Sequence, residues 1–431
     1  MTHSLAEWKT ATLGDWPVEF IDGDRSSRYP KRSEFVSQGV PFLNGTCMNN
    51  GKIDEEFLNF ITEEKAASIR KGRAVAQDLL ITTRGNSVGN VALFPAKLRW
   101  GLINAQMLIL RADATQLSPH YLFQAIRNPE FQESIRNFAS GSAQPQIPIR
   151  DLKHIPFTAP PLPAQRRIAA ILSAYDDLIE NNTRRIAILE EIARRLYEEW
   201  FIHFRFPDHE GVRMIESEIG SVPEGWEVRT VEDAFEILGG GTPSKKVDEY
   251  WQGGDISWYT PTDLTKSGDI FMDRSGMQIT ELGLKKSSAR LFPPFSVMMT
   301  SRATLGVIAI NTTEASTNQG FITCLPNDEV PLYTLYHWLK ANVEQFISLG
   351  TGATFKEITK GVFKTIQLAV PTSATVQEFE SKVGPFMELV LRLQRKNTNL
   401  RAQRDLLLPK LISGEIDVSE IGKPMVEAAA E

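Results

Sequence analysis

The spacing of hydrophobic residues predicts two long amphipathic helices, one in the middle of the chain and one near its end. Each contains a stripe of apolar residues that recur every three or four positions, which is the heptad pattern of coiled coils. The first stripe contains Ile168, Leu172, Tyr175, Ile179, Ile186, Leu189, Ala193, Leu196 and Trp200, and the second contains Val376, Phe379, Val383, Phe386, Val390, Leu393, Leu400, Leu407 and Leu411. One asparagine interrupts each stripe near its middle, Asn182 in the first and Asn397 in the second.

These asparagines predict how the helices pair. If the helices are antiparallel and Asn182 faces Asn397, the other stripe residues also face each other, as with Trp200 and Phe379. A buried polar residue in such a seam costs stability but fixes the register, which favours placing the two asparagines together. The alternative is that each helix packs only on its own globular domain. Pro385 lies within the second stripe and is expected to kink or interrupt that helix.

The sequence before each long helix predicts an α+β fold, with strands in runs and helices to one side. In the first stretch, strands are predicted at 39–44, 79–83, 91–94 and 107–111, and helices at 119–128 and 129–138. In the second, a strand is predicted at 297–300 and helices at 331–342 and 343–349. The predicted domain limits are 1–160, 207–370 for the globular domains, 161–206 and 371–416 for the helical spacers, and 417–431 for a flexible tail.

The two globular stretches are copies of one ancestral domain. The block Leu79–Arg84 (LLITTR) is answered by Val297–Arg302 (VMMTSR), 218 residues later. Three further blocks recur in the same order, around Trp8 and Trp226, Gln106 and Gln319, and 141–144 and 350–354. A period this long indicates duplicated domains rather than a solenoid. Such a chain is suited to recognising two different things at a fixed separation.

Composition and missing motifs narrow the function. The chain has 431 residues, and 42% hydrophobic with 23% charged residues is ordinary for a soluble protein. Cys47 and Cys324 fall in different copies, so a reducing cytoplasm is expected, with no membrane span. The formal charge of −6 argues mildly against nucleic acid, although a local positive face binds phosphate whatever the total. The six dispersed histidines do not suggest a metal site.

Two motifs that resemble catalytic loops do not meet the chemical requirements. Methylation of an exocyclic amine needs a polar residue before Pro-Pro-aromatic, whereas Phe292 holds that place in Phe292–Phe295, so a turn is predicted. The glycine-rich run Gly239–Lys246 lacks the spacing of a phosphate-binding P-loop and is predicted to be a flexible loop. We therefore expect no catalytic residues and no cofactor bound by this chain.

The ends of the helices resemble those of a known family. The segments Pro160–Ile168 (PPLPAQRRI), Asp176–Asn182 (DDLIENN) and Leu406–Ile416 (LLLPKLISGEI) look like the conserved regions of type I restriction-modification specificity subunits. The resemblance covers nearly the whole chain. One departure is that the second helix opens Pro371–Gln377 without the Pro-Pro-Leu start.

The resemblance implies a non-catalytic DNA specificity subunit. Each target recognition domain would read one half of a split, asymmetric site in double-stranded DNA, and the helices would dock two methyltransferase subunits. Partner subunits would bind S-adenosylmethionine, Mg²⁺ and ATP. A motor-nuclease subunit is a further candidate partner in that complex. The alternatives are a protein-binding scaffold with duplicated domains and a self-sufficient DNA-modifying enzyme.

Polar residues in loops after strands are the predicted DNA contacts. Arginine can bind guanine O6 and N7, and asparagine or glutamine can bind adenine N6 and N7. The predicted residues are Asn44, Thr46, Thr83, Arg84, Asn86, Gln106 and Gln144 in the first copy, and Tyr259, Thr262, Ser301, Arg302, Thr304, Gln319 and Lys356 in the second. The alternative for Arg84 and Arg302 is a structural role, each paired with a carboxylate inside the fold. Gln106 and Gln319 could equally satisfy buried backbone groups. Basic runs at 70–73 and 285–286 are expected to add phosphate contacts or to be merely solvated.

Overall fold

A computed structural model describes residues 8–139, 144–352 and 356–418. They form two compact units, the first made from the described residues of 1–179 and 399–431, and the second from 180–398. Each unit combines short strands with helices, which confirms the α+β prediction. Most of the predicted tail lies outside the described residues, and Val418, which falls within its limits, is buried in the core of the first unit.

Two four-stranded sheets form the centre of the first unit. One is antiparallel, and its strands in spatial order are Val18–Asp22, Met107–Ala112, Leu79–Thr82 and Val91–Leu93. The other contains Asn59–Ile61, Val40–Leu43, Gly101–Ile103 and Arg73–Ala74, and its middle pair is parallel. The helices of this unit are Glu63–Ser68, Pro119–Arg127, Pro129–Phe138 and Ile149–His154, and Met48–Asn49 with Lys52–Ile53 makes a small hairpin.

The second unit has a similar plan, with five strands in one sheet and three in the other. Its larger sheet contains Ile237–Gly239, Phe321–Cys324, Val297–Thr300, Ile308–Asn311 and Phe271–Met272 in spatial order. Its smaller sheet contains Met277–Ile279, Ile256–Tyr259 and Ala315–Thr317, and the last two are parallel. The helices are Val231–Ala234, Pro261–Ser267, Glu281–Lys285, Leu332–Ala341, Val343–Leu349 and Lys360–Lys364, and Met214–Ser217 with Gly220–Pro223 makes a hairpin.

A strand pair joins the beginning and end of each globular domain. Lys9–Thr12 pairs antiparallel with Pro156–Ala159 in the first unit, and Glu227–Thr230 pairs in the same way with Gln367–Val370 in the second. The closing strand leads almost directly into the long helix. Because few residues intervene, each domain is held firmly against the helix that follows it.

The long helices pair through their apolar stripes. The first runs from Leu162 to Tyr197 and continues as a π-helical turn, and the second runs from Ser373 to Ile412. In the second unit, Asn182 Nδ2 donates to Asn397 Oδ1 at 2.9 Å, and the rings of Trp200 and Phe379 lie 5.9 Å apart. Rising numbers in one helix thus face falling numbers in the other, so the pair is antiparallel with the predicted facing residues.

The first unit contains its own segment of paired helix. Arg404 Nη1 lies 2.7 Å from Asp176 Oδ1, and Arg127 Nη1 lies 2.9 Å from Asp176 Oδ2. Ile168 and Leu172 share a buried core with Leu408 and Leu411. Asp176 therefore links a helix of the globular domain to both long helices within this unit.

The helices also pack on the globular domains. Phe379, Val383 and Val390 are fully buried in the same core as Leu335 and Leu339 of the second unit's helix Leu332–Ala341. Helix pairing and domain packing were considered as alternatives, but both occur. The shared core gives each domain a fixed orientation on its own helix segment.

The predicted break at Pro385 is wrong, because the second helix continues through it without interruption. Pro385 lies on the exposed face, as does Ser381 one turn earlier, whose carbonyl loses its usual amide partner. Water can satisfy that carbonyl. Val383 and Met387 on the opposite face are fully buried and hold the turn in place.

Candidate nucleic-acid interface

Three of the predicted loops meet in the first unit. The Thr83 amide donates to the Gln106 carbonyl at 2.8 Å, the Ile147 amide donates to the Thr83 carbonyl at 3.0 Å, and the Gly85 amide donates to the Pro145 carbonyl at 2.9 Å. These bonds join the end of strand Leu79–Thr82 to two loops distant in sequence. Arg84, Asn86, Gln106 and Gln144 are thereby brought to one side of the unit, around the buried Thr83.

The second unit has the same scaffold. The Ser301 amide donates to the Gly320 carbonyl at 2.8 Å, and the Ile358 amide donates to the Ser301 carbonyl at 3.0 Å. The backbones of Arg302 and Glu357 form a bridge, as those of Arg84 and Gln146 do in the first unit. In the repeat blocks 141–144 and 350–354, residues 141–143 and 353–354 lie outside the described part of the chain.

A fourth loop extends this surface in the first unit. Asn44 Oδ1 accepts a hydrogen bond from the Thr46 amide at 2.8 Å, which closes a turn after strand Val40–Leu43. A Cβ placed on Gly45 would lie 3.1 Å from Ser87 Oγ, so this turn packs beside the loop that carries Asn86. Asn44 is half-buried and Thr46 is exposed.

Two residue correspondences between the copies differ from those that the sequence predicts, which match Gln106 with Gln319 and Asn44 with Tyr259. The Gln106 amide donates to Asn104 Oδ1 at 3.0 Å, and the Gly320 amide donates to Asn318 Oδ1 at 2.8 Å, so Gln106 corresponds to Gly320 rather than to Gln319. The Asn104 amide donates to the Leu43 carbonyl, and in the second unit the Asn318 amide donates to the Tyr259 carbonyl in the same way. Tyr259 thus corresponds to Leu43, the last residue of a strand.

Some of the predicted contact residues are buried and hold the loops instead. Tyr259 is fully buried, and its hydroxyl donates to the Met272 carbonyl at 3.0 Å. Burial raises the pKa of Tyr259 well above its usual value. Thr83 is 7% exposed and donates to the Gln106 carbonyl, and Ser301 is 4% exposed. We therefore assign Tyr259, Thr83 and Ser301 to the scaffold, since their side chains do not face solvent.

The other predicted side chains reach the surface. Arg84 is half-buried like Asn44, and the exposed residues are Thr46, Asn86, Gln106, Gln144, Thr262, Arg302, Thr304, Gln319 and Lys356. Three of them have side-chain hydrogen bonds within their unit. The Thr46 hydroxyl donates to Asn44 Oδ1 at 2.5 Å, Gln319 Oε1 accepts from the Thr242 hydroxyl at 2.6 Å, and Lys356 Nζ donates to the Ile347 carbonyl at 3.1 Å.

The two equivalent arginines have different surroundings. Arg302 Nε lies 3.4 Å from Glu357 Oε2, and the side chains are 61% and 41% exposed. Arg84 forms its backbone bridge with Gln146, a neutral residue. Glu357 is thus a candidate for the carboxylate that a structural role of Arg302 would need. A pair of such exposed side chains contributes little stability. Both arginines remain accessible to a ligand.

Arginines of one further loop were missed by the sequence analysis. Arg25 Nη2 donates to the Ala105 carbonyl at 3.4 Å, which places it next to Gln106. Arg28 Nη1 donates to the Ser68 carbonyl at 3.2 Å. No repeat block contains these residues, and only the fold brings them to the loops. Arg70 and Lys71 lie beside Arg25 and Arg28. They belong to the basic run 70–73, for which phosphate contacts were one of the two expected roles.

The two catalytic look-alikes have structural roles. The Pro293 carbonyl accepts hydrogen bonds from the Ser296 hydroxyl and Asn311 Nδ2, both at 2.8 Å, so it is occupied in a turn before a strand. The backbone at Gly240 passes so close to the Asn318 carbonyl that a Cβ would collide with it. Among the described residues, no group of three His, Cys, Asp or Glu side chains is placed to hold a metal ion. Nor does the described chain contain a helix long and apolar enough to cross a membrane.

Two related α+β domains, each presenting polar loops at the end of a sheet and each followed by an amphipathic helix, define a duplicated recognition protein. The sequence model of the family described as the type I restriction modification DNA specificity domain matches residues 6–191 and again residues 223–383. The chain therefore belongs to this family and is built as a type I specificity subunit with two such domains.

Individual relatives agree. The chain is 35% identical to the type I restriction enzyme MjaIX specificity subunit of Methanocaldococcus jannaschii over 184 residues, which are 42% of each chain. It is 24% identical to the HindI specificity subunit of Haemophilus influenzae over an alignment that spans 94% of this chain and 100% of that one. A crystal structure of the type I S subunit from M. genitalium shares the fold, with a TM-score of 0.59, 16% identity, and coverage of 95% and 98%.

Proposed function

We propose that this chain is the non-catalytic subunit that selects the DNA sequence for a type I restriction-modification complex in the cytoplasm. Each globular domain reads one half of a bipartite, asymmetric site in double-stranded DNA. The observation that carries this proposal is the shared loop scaffold with unlike side chains. Thr83 and Ser301 make matching backbone bonds, while the exposed residues around them differ between the units.

The accessible side chains are suited to reading base edges. In the first unit, Asn44, Asn86 and Gln106 offer amides that can bind adenine N6 and N7, and Arg84 offers a fork for guanine. The corresponding loops of the second unit present hydroxyls at Thr262 and Thr304 and the guanidinium of Arg302. Hydroxyls bind phosphates or several bases, so the two half-sites are expected to differ in sequence.

The paired helices carry the partners in this proposal. Ile188 and Ile192 lie one turn apart on the first helix and are 59% and 42% exposed, on a face that does not form the seam. Two methyltransferase subunits would cover such apolar positions and would bind S-adenosylmethionine themselves. A motor-nuclease subunit using ATP and Mg²⁺ would join through them. The chain itself would bind none of these cofactors.

Selection from random duplexes tests the DNA proposal. The purified full-length chain, alone and with its cognate methyltransferase, is incubated with a randomised duplex pool, and bound DNA is sequenced over several rounds. We expect two short conserved blocks separated by a spacer of fixed length, and binding that weakens steeply with salt. Enrichment of one continuous block or of no sequence would contradict the proposal, and methyl transfer by the chain alone would contradict its non-catalytic part.

A further inference from the structure

A cationic cleft of about 520 Å³ lies in the first unit, outside the loops predicted to read bases. Its charged lining consists of Arg25, Arg28, Arg70 and Lys71 together with Asp22 and Asp24, and we call it the cationic cleft. All four cationic side chains belong to exposed residues. Four positive charges against two carboxylates make this cleft positive although the whole chain has a formal charge of −6.

Asp24 holds two sides of the cleft together. It is 7% exposed, its Oδ1 accepts from the Ser26 amide at 2.7 Å, and its Oδ2 accepts from the Arg70 amide at 3.4 Å. Hydrogen bonds from Ser26 hold the pKa of Asp24 below its usual value. The carboxylate thus ties the loop 24–28 to the segment 68–71, and two cation-bearing segments are joined across more than forty residues of sequence.

The cleft is continuous with the loops that face the proposed DNA. Arg25 Nη2 lies 3.4 Å from the Ala105 carbonyl and 3.3 Å from Asp22 Oδ1, and Gln106 follows directly. The side chain of Arg25 is 52% exposed, so its bond to Asp22 is readily exchanged for another anion. An extended polyanion lying over Gln106 would reach this arginine next.

The second unit presents cations at the equivalent place. Gly23 lies against the Asn104 carbonyl and Gly240 lies against the corresponding Asn318 carbonyl, which aligns the two following loops. The loop after Gly240 carries Lys245 and Lys246, and Gly241 packs on Ser288, in a segment flanked by Lys285, Lys286 and Arg290. Both units thus have two cationic residues in the loop that follows this glycine, although the loops differ in sequence.

We propose that the cationic cleft holds phosphodiester groups of the DNA strand that flanks the first half-site, and that Arg25 and Arg28 set the position of the domain on the duplex without reading bases. Guanidinium groups bind phosphate oxygens through paired, charge-assisted hydrogen bonds. Such contacts fix orientation and carry no sequence information. This inference rests on the proposed function, since it presumes that the loops beside the cleft bind DNA.

The test compares charge-matched variants of the full-length chain. The double variant R25Q/R28Q removes two charges from the cleft, and R184Q/R392Q removes two exposed charges, 71% and 77% exposed, from the long helices. Equilibrium binding is measured between about 50 and 200 mM salt, on the selected duplex and on one whose first half-site is scrambled. We expect R25Q/R28Q to reduce the slope of log affinity against log salt by about 1.8, which corresponds to two lost phosphate contacts.

Sequence preference provides the second readout. The affinity ratio between the selected and scrambled duplexes should stay within about twofold in R25Q/R28Q, whereas Gln106→Ala should reduce this ratio and leave the slope unchanged. The helix variant should change neither. If R25Q/R28Q left the salt slope unchanged, or strongly reduced the affinity ratio between the selected and scrambled duplexes, the phosphate role would be wrong. The proposed function would still stand in that case, provided that the unaltered chain binds the selected duplex preferentially.

A free anion must be distinguished from the DNA backbone. Inorganic phosphate and chloride are compared at equal ionic strength as competitors of the selected duplex. If phosphate and chloride compete equally with the duplex, the cleft is a site for the backbone of a duplex. If phosphate displaces the duplex more strongly than chloride does, and this difference disappears in R25Q/R28Q, the cleft is a site for small anions and the inference is wrong. If the unaltered chain binds no duplex selectively, both this inference and the proposed function are wrong.

Discussion

Replacing Asn397 by leucine should destabilise the helix pair, because it leaves a buried amide without a partner. Asn182 and Asn397 are each 3% exposed, and Asn182 Nδ2 donates to Asn397 Oδ1 at 2.9 Å. An unpaired buried amide costs about 1 to 3 kcal/mol. Leucine adds apolar burial that offsets part of this, so we expect Asn397→Leu to lower the local opening free energy by about 1 to 2 kcal/mol.

The equivalent substitution of the other asparagine, Asn182→Leu, should lower the opening free energy by less. In Asn182→Leu, Asn397 loses its bond to Asn182 but can still donate from Nδ2 to the Thr183 hydroxyl, at 3.2 Å in the structure. We expect a loss of about 1 kcal/mol or less. The double leucine variant has no unpaired amide in the seam and should be at least as stable as the unaltered chain. The two substitutions are therefore coupled by about 1 to 3 kcal/mol, the sum of the single losses.

Hydrogen exchange of the helix amides near residues 182 and 397 is the suitable assay. A chain with two compact units is not expected to unfold in one transition, so a local opening free energy is better defined than a global one. Independent effects, with the double variant as unstable as the sum of the singles, would refute the pairing. Unequal single effects in the opposite order would refute the role of Thr183.

Three further predictions concern single side chains. Asp176→Asn should lower the stability of the first unit by about 3 kcal/mol, because Arg127 and Arg404 would face a neutral group. Burial opposes ionisation of Asp176, but the two arginines outweigh burial and lower the pKa of this carboxyl group. The stabilisation is therefore present above pH 3.8, and thermal unfolding should show it fading as the pH drops below that value. Glu357→Gln, which removes the carboxylate 3.4 Å from Arg302, should tighten DNA binding about twofold in equilibrium titrations, and weaker binding would contradict a DNA-facing arginine. Pro385→Ala restores a helix hydrogen bond and should raise the unfolding free energy of the second unit by about 1 to 3 kcal/mol in denaturant titrations; a loss of stability would show that the proline is needed where it lies.

The helix pairing could be predicted from sequence because its determinants are local and periodic. A stripe with a 3.5-residue repeat fixes the buried face, and Asn182 and Asn397 fix the register. Pro385 was misjudged because the pattern alone did not show that its missing amide falls on the exposed side, where water replaces the lost bond.

The loop surface was only partly predictable. The repeat identified the loops, but two side chains, Asn104 and Asn318, set the alignment by bonding to the amides two residues later. Identity between Gln106 and Gln319 suggested a different register by one residue. Tyr259 was predicted because it follows a short strand at a place matched with Asn44, and the neighbouring sequence does not reveal that its hydroxyl has a buried acceptor.

The cationic cleft illustrates what a linear reading misses. Arg25 and Arg28 are dispersed among polar residues and form no motif, and the run Arg70–Arg73 could equally be a solvated surface. Their convergence depends on Asp24, whose carboxylate bonds the backbone of both segments. Only a bond between distant segments shows that these charges share one cleft.

The most direct test of two independent reading domains is an exchange of one of them. Residues 1–160 are replaced by the first domain of another family member, the chain is expressed with its methyltransferase, and methylated bases are mapped across the genome of the host. The account predicts that one half of the modified site changes while the other half and the spacer stay the same. A change in both halves, or in neither, would contradict it.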